Sequence, residues 1–506
     1  MQSRTQNTKR NIVASYILMI VQILFSFISR AVIIHTLGAD YLGLSSLFTS
    51  ILTVLNIAES GFASSVVYFM YKPLAEGDVK KVCALLNYLR RVYRIVGTII
   101  LCTGLLLTPF ISYIIKGEVP SDINIYVLYC LYLVNTSISY FLFAYKTSLL
   151  TAIQRLDLTK IANTIVILAQ YCFQLVALVV FRSYYLFVLF LILGTGSVNV
   201  FTAYISKRKY PEYECKGNIE RTSRAEIAHK VKGLLICNIS GVTYNTFDSI
   251  IISAYIGLTS VAIYNNYLLI YLTVSSFISL IRKSMQASVG NSVASETVEK
   301  NLSDLKLWQF LFSLIATWCV SCLVCLYQPL MKVWMGEDML LPFIDVILLG
   351  IWFMEDTVQH AFYLYLSATG LWNEMKWAYI FSTVFNLVMN ILLGKILGIT
   401  GIIIASLLAG VFAGLFWQCS TIFKHYFHMS SKNYIVKQFI YFGIAAVIVM
   451  ISYVVCRCIP YEGIIGLFTK TVTCGVVSMG LIILVYYRSS NFSKAKSLFM
   501  KVIGRR

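Results

Sequence analysis

The sequence predicts an all-α polytopic membrane protein of about fourteen transmembrane helices. Three observations lead there. Of the 506 residues, 58% are hydrophobic and only 12% charged. Apolar runs close to the ~20 residues that cross a bilayer recur along the whole chain. The loops between them alternate between basic and nearly uncharged, as the positive-inside rule requires. Among the 41 Lys and Arg, only Lys116, Arg182, Lys332, Lys395, Arg457 and Lys470 fall on or near one side, and Arg30 falls inside a span. The others crowd the opposite side, which makes that side cytoplasmic and places both termini there. The net charge of +19 is therefore loop charge facing an anionic leaflet. Nucleic acid, which would need a basic surface on a soluble module, is excluded as a partner.

Taken in order, Arg4, Lys9 and Arg10 precede helix 1, about Ile12 to Ile34. That run is too long for a signal-peptide core and lacks a clear cleavage site. Helix 2 is expected over about Leu44 to Phe69, helix 3 over Ile95 to Ile115, and helix 4 over Ile123 to Tyr145. Helices 5 and 6 follow at Ile161 to Phe181 and Tyr184 to Ile205. The stretch from Lys207 to Gly233 is the most charged in the chain and separates two halves of similar helix count. Beyond it come helix 7 (Leu234 to Ile256), helix 8 (Ile263 to Ile281) and helix 9 (Leu307 to Pro329). Helices 10 to 12 run Phe343 to Ala368, Ala378 to Leu397 and Gly401 to Phe423, before a last pair at Phe439 to Ile459 and Gly466 to Tyr487. The expected domains are thus a six-helix lobe at 1–206, a cytoplasmic linker at 207–233, a second six-helix lobe at 234–423, and two additional helices with a basic tail at 424–506. In that tail Leu498, Phe499, Val502 and Ile503 are mixed with basic residues, so it reads either as an amphipathic surface helix or as a disordered tail.

The two halves echo each other. Leu37 and Gly38 of the first turn have counterparts in Ile256 and Gly257, and Leu44 in Ile263, at one constant offset. Equal orientation of the halves indicates a parallel repeat about an axis normal to the membrane, an arrangement used by transporters that bind between their halves.

The stretches SRAVIIHTLGADYLGL from Ser29, NIAESGF from Asn56 and FDSIIISAYIGLTSVAIYNNY from Phe247, set in this frame, carry a resemblance over nearly the whole chain. It is similar to the Wzx-type polysaccharide and O-unit flippases of the multidrug/oligosaccharidyl-lipid/polysaccharide (MOP) exporter superfamily. The resemblance implies two MATE-like lobes in a bacterial inner membrane. It implies movement of an undecaprenyl-diphosphate-linked oligosaccharide from inner to outer leaflet by alternating access, for capsule, O-antigen or lipopolysaccharide synthesis. It also implies that the protein is no enzyme and has no catalytic residue and no cofactor. Its partners would be the lipid-linked oligosaccharide, membrane lipids, a polysaccharide polymerase with its chain-length machinery, and a coupling proton or cation. Related lipid-diphosphate flippases place a first-helix Arg in the cavity, and Arg30 matches that position, although this interior holds fewer further cations.

The residues themselves support a polar interior, because ionisable groups in spans are costly and usually face protein or a water-filled cavity. Arg30 offers a planar fork of donors suited to a diphosphate, against the alternatives of structural pairing or snorkelling. Glu59 and Asp248 are further candidate substrate-binding groups, with helix capping or an ion pair as the alternative for Glu59. Glu59, Asp248, Glu355, Asp356 and His360 are candidates for ion coupling. Glu355 and Asp356 point about 100° apart on a helix, so both cannot face one narrow site, and a lone His360 is more often a satisfied interior histidine. Asp248 corresponds to Ser29, beside Arg30, so Arg30 and Asp248 are expected to approach one another. The 13 Cys are scattered and read as packing residues. Cys319, Cys322 and Cys325 have CxxCxxC spacing but no fourth ligand in view, so no metal is expected. Gly401, Ala405, Ala409 and Ala413, with Gly410 and Gly414, permit close helix approach. No phosphate-binding P-loop motif occurs. A cation-coupled drug or metabolite exporter of the same fold is the main alternative function. A membrane polysaccharide polymerase is a weaker one, since it would call for a sizeable catalytic loop.

The topology is directly testable. Single cysteines introduced at Ser121 and Gly336 should react with an impermeant thiol reagent added outside intact cells, while cysteines at Asn218 and Glu299 should be protected. The reverse pattern would overturn the orientation.

Overall fold

The computed structural model describes residues 4–56, 62–220, 223–228, 231 and 246–502. Glu59, most of expected helix 7 and Ile503 lie outside these residues. The described residues are helical with connecting turns and contain no strand. Among the described residues ten helices are long and apolar enough to cross a membrane, or eleven if one bent pair counts as a single span, so the chain is a multi-pass membrane protein. It divides into two compact units, Met1–Ala262 and Ile263–Arg506.

The first unit holds α1 (Arg4–Thr36), α2 (Ala39–Asn56), α3 (Phe62–Glu76), α4 (Val79–Leu107), α5 (Ile125–Phe141), α6 (Tyr145–Ala152), α7 (Leu156–Val179) and α8 (Tyr184–Lys209). Expected helix 2 (Leu44 to Phe69) falls on α2 and the first half of α3, with residues 57–61 outside the described residues, and Pro73, expected in a loop, sits inside α3. The α5–α6 pair is bent by 49°, at a break where Phe143 takes φ 58°. The basic stretch before Ile95 is helix rather than loop, because Asp78 caps α4 by accepting from the Lys81 N–H at 2.9 Å.

Polar contacts pin the ends of these helices. Near the start of α1, Asn11 accepts from the Asp157 N–H at 2.7 Å and donates to the Gln154 carbonyl at 3.1 Å. Arg155 completes this corner with a bidentate pair to Asp157 at 2.9 and 3.1 Å, and that hydrogen bond pushes the Arg155 pKa up. The first part of the linker lies on the same unit. Asn87 donates to the Gly217 carbonyl at 2.7 Å and Lys146 to the Tyr213 carbonyl at 3.0 Å.

The repeat is visible in the turns. The amides of Leu37 and Gly38 both donate to the Ile33 carbonyl, and those of Ile256 and Gly257 both donate to the Ile252 carbonyl. Gly38 and Gly257 have φ of 117° and 135°, a region that side chains with a Cβ avoid. The equivalent positions then meet. Thr259 Oγ1 donates to Asp40 Oδ1 at 2.6 Å across 219 residues of chain. Gly43 faces the backbone of Leu258 so closely that a Cβ would lie 2.2 Å from its carbonyl oxygen. Lys116 adds to the docking, its amide donating to the Ser253 carbonyl at 3.0 Å and its ammonium to the Tyr255 carbonyl.

The second unit contains most of α9 (Leu258–Ser295), then α10 (Val298–Met335), α11 (Phe343–Thr369), α12 (Trp372–Leu397), α13 (Ile399–Gly410), α14 (Lys432–Arg457), α15 (Gly463–Tyr486) and α16 (Ser490–Val502). At 38 residues each, α9 and α10 reach about 57 Å at ~1.5 Å per residue. They overrun the ~30 Å apolar layer, which is why hydropathy located only their middles. Both α2 and α11 are less apolar than the other long helices because polar residues dilute them, Asp345, Glu355, Asp356, Gln359 and His360 in the case of α11.

The helix α10 packs against α11, α14 and α15. Beyond α13 the chain widens into π-helical turns at Val411–Gln418, where Gly410 and Gly414 meet Gln359 of α11. Ala405 and Ala409 are fully buried, so the small residues of this helix serve close packing. In the tail, Phe492 and Ala495 of α16 pack with Leu307, Phe310, Tyr441 and Tyr486, which gives the start of that helix a protein partner.

The docked turns yield a prediction. Cysteines replacing Asp40 and Thr259 should cross-link readily, and adding Gly43→Val, whose side chain has no room against the Leu258 backbone, should suppress the cross-link. An unchanged yield would overturn this arrangement.

Candidate functional site

Each unit presents a polar cluster within its apolar helices. In the first unit, Arg30 lies half-buried in the last third of α1, within electrostatic reach of Tyr184 at the start of α8. Tyr132 of α5 brings its hydroxyl within 2.9 Å of both Ser45 Oγ and the Tyr184 hydroxyl. Tyr41 packs edge-on against Tyr184, with ring centroids 5.4 Å apart, and donates to Asp122. The Arg30 guanidinium, whose donors suit anionic oxygens, thus lies within electrostatic reach of a chain of linked hydroxyl groups. Asp248 lies in the helical stretch 246–255 and is fully buried, 0% exposed. Arg30 and Asp248 both have interaction partners. Glu59 lies outside the described residues.

A cleft of about 890 Å³ lies where α3 and α4 meet the linker, lined in part by Lys72, Lys80, Lys81, Asp78, Glu220 and Glu226. Its mixed charges give it no single preference for anion or cation. Nearby in the linker, the ammonium of Lys216 holds the exposed Glu214 carboxyl below its usual range.

The second unit builds its cluster between α9 and α11. Ser275 donates to Asp356 Oδ2 at 3.2 Å. The Arg282 guanidinium stacks 4.0 Å above the centre of the Tyr363 ring, and Gln286 donates to Ser367 Oγ. Each pair is separated by the same 81 residues, so the two helices run parallel in a single register. Glu355 points elsewhere. It is 2% exposed and accepts from Gln359, whose amide also reaches the Gly410 carbonyl at 3.5 Å. His360 stands edge-on to Phe312, centroids 5.7 Å apart, and its Nε2 has no hydrogen-bond partner among the described residues. The same holds for Arg282 Nε.

Sequence reasoning missed Arg282, Tyr363 and Gln286. Helix 8 was expected to stop at Ile281, which put Arg282 in an inner loop, whereas α9 continues to Ser295. The available signal was the run from Ile281 to Val289, which contains no Pro or Gly to end a helix.

No protein-family model matches the chain, and no curated protein sequence does. Solved structures do match. An inward-facing multidrug resistance MATE family transporter of the MOP superfamily is 14% identical, with TM-score 0.65, covering 81% of this chain and 98% of its own. The Lipid II flippase MurJ in its inward closed conformation is 13% identical, with TM-score 0.66, covering 94% of this chain and 98% of its own. A eukaryotic MATE transporter is 12% identical, with TM-score 0.52, covering 86% and 98%. At such identities the likeness is one of fold, and it establishes the MATE-like architecture of membrane transporters and flippases.

The α9–α11 cluster predicts unequal effects of two substitutions. Arg282→Lys keeps the charge but loses the planar stack on Tyr363, and should lower the stability of the purified protein by about 0.5–2 kcal/mol. Asp356→Asn retains an acceptor for Ser275 and should cost less. Thermal unfolding in detergent measures both, and an unaltered melting temperature for Arg282→Lys would refute the role of the stack.

Proposed function

We propose that this protein is a flippase that moves an undecaprenyl-diphosphate-linked oligosaccharide from the inner to the outer leaflet of a bacterial cytoplasmic membrane, for surface polysaccharide synthesis. The observation that carries this reading is the extent of the fold likeness. The lipid flippase spans 94% of this chain, against 81% for the multidrug transporter. Arg30 supports it, because a guanidinium within electrostatic reach of the Tyr184 hydroxyl suits a diphosphate, staying charged and offering bidentate hydrogen bonds.

In this mechanism the diphosphate engages Arg30, and Asp248 serves as the partner that holds Arg30 when no substrate is bound. An unpaired Arg among apolar helices would be costly, and an Asp that a diphosphate can displace keeps the site closed but exchangeable. Glu355, Asp356 and His360, together with Glu59, are the groups proposed to carry a coupling proton or cation. The sugar chain travels through water-accessible space between leaflets, and no covalent bond is made or broken. Partners on this reading are the lipid-linked oligosaccharide, surrounding lipids, and the polymerase and chain-length machinery that consume it.

A second reading has its own support. Buried carboxylates at Asp345, Glu355 and Asp248, together with the MATE neighbours, favour a cation-coupled exporter of small molecules.

Depleting the protein should make lipid-linked oligosaccharide accumulate facing the cytoplasm and should reduce polymer output. A lectin that cannot cross membranes, applied to right-side-out and inside-out vesicles, reads the leaflet. Normal outward appearance of the intermediate, with loss of drug efflux instead, would favour the exporter. Arg30→Ala should reduce flipping about 10-fold or more while leaving folding nearly intact, and Asp248→Asn should alter substrate affinity. Wild-type transport by Arg30→Ala would reject the proposed site.

A further inference from the structure

Three thiols from three different helices converge in the second unit. Cys325 of α10, Cys456 of α14 and Cys474 of α15 place their sulfur atoms within 4.8 Å of one another, and they are only 4%, 3% and 0% exposed. Cys322, one turn before Cys325, is half-buried and in hydrogen-bond contact with Cys474. The CxxC spacing on α10 is thus completed by two residues more than 100 positions away, which no spacing rule could reveal.

We propose that Cys325, Cys456 and Cys474 form a soft-metal site that binds one Cu(I) ion per chain. The donor set is all sulfur, and thiolates select Cu(I), zinc and iron–sulfur clusters over hard cations. Three buried, mutually close thiols suit the low coordination number of Cu(I), and Cys322, half-buried beside Cys474, lies outside that close set, whereas a structural zinc site is almost always four-coordinate and tetrahedral. Metal–sulfur bonds of ~2.3 Å put ligand sulfurs about 4 Å apart, so the thiols need close in by less than about 1 Å, within reach of small side-chain rotations.

The surroundings supply access and charge. The Cys456 thiol also donates to the Lys470 carbonyl at 3.7 Å, and Lys470 lines a cleft of about 200 Å³ together with Gln328, Lys332 and Glu462. Gln328 lies one turn beyond Cys325 on α10. Each thiol that becomes a ligand gives up its proton, and the cleft offers that proton a path to water while Lys470 offsets negative charge left on sulfur. No electron is transferred, since the ion enters and stays as Cu(I). Once bound, it ties α10 to α14 and α15, and a ligand held by the folded state alone stabilises that state.

The purified full-length protein, titrated anaerobically with Cu(I) against a chromophoric Cu(I) chelator, tests the site. One ion per chain should bind, with a near-ultraviolet thiolate-to-copper band, a raised melting temperature, and protection of Cys325, Cys456 and Cys474 from alkylation. Cys474→Ser and, separately, Cys325→Ser should each weaken binding about 100-fold, and Cys172→Ser, an exposed cysteine of α7, should leave it unchanged. Alkylation mapping of the wild-type protein keeps the test decisive should either variant misfold. Absence of stoichiometric binding, equal binding by the serine variants, or binding of Zn(II) through Cys322 in place of Cu(I) would overturn the assignment.

Discussion

A polar group carried into apolar surroundings must be answered inside the helix bundle, since leaving it unsatisfied costs several kcal/mol. The pairing of α9 with α11 depends on this constraint most plainly. Asp356 with Ser275, Tyr363 with Arg282, and Ser367 with Gln286 lie at one constant separation along the chain. Sliding either helix by one residue would break all three at once. Apolar faces alone tolerate sliding, because lipid tails are as apolar as leucine side chains and either can cover such a face. The register of these helices is therefore set by their polar pairs, and the same residues that lower the apolarity of α11 fix its position.

The repeat gives the first unit a second kind of constraint. Two turns with the same hydrogen-bond pattern, each ending in a glycine with positive φ, bring Asp40 and Thr259 together as equivalents. A residue without a side chain at one of these positions is what lets the two turns touch. Gly43 meets that condition against Leu258. Beside the hydrogen bond lie the two lysine contacts and the buried side chains of Leu44, Leu258, Val261 and Ala262.

Much of the fold was legible because the signals were long. Runs such as Ile12 to Ile34 and Gly466 to Tyr487 are spans by length and composition, and α1 and α15 contain them but for the final tyrosine. The divergence of Glu355 and Asp356 followed from helix geometry, and they do contact different neighbours. The ends of the long helices were not legible, because hydropathy reports the apolar layer whereas helices continue until a cap or breaker stops them. Arg282 was lost for that reason. The thiol cluster was lost for a different one, since Cys456 and Cys474 reach Cys322 and Cys325 only through tertiary packing. Of the six candidate residues, Arg30 could be placed on its helix by sequence, but its hydroxyl neighbourhood, built from α2, α5 and α8, could not.

The last helix pair is part of the second unit rather than an appendage, and α10 shows why. Gln309 and Gln438 are both fully buried and bonded to each other at 2.8 Å, and Gln438 also reaches Ser313 at 3.4 Å. Phe310 packs between Tyr441 and Tyr486 with centroids 5.9 and 5.2 Å away. The thiols follow two turns or more further along the same helix. Without α14 and α15, α10 would present Gln309 and Ser313 to lipid with nothing to answer them, the situation that membrane helices avoid. The composition of α10 thus already requires its partners.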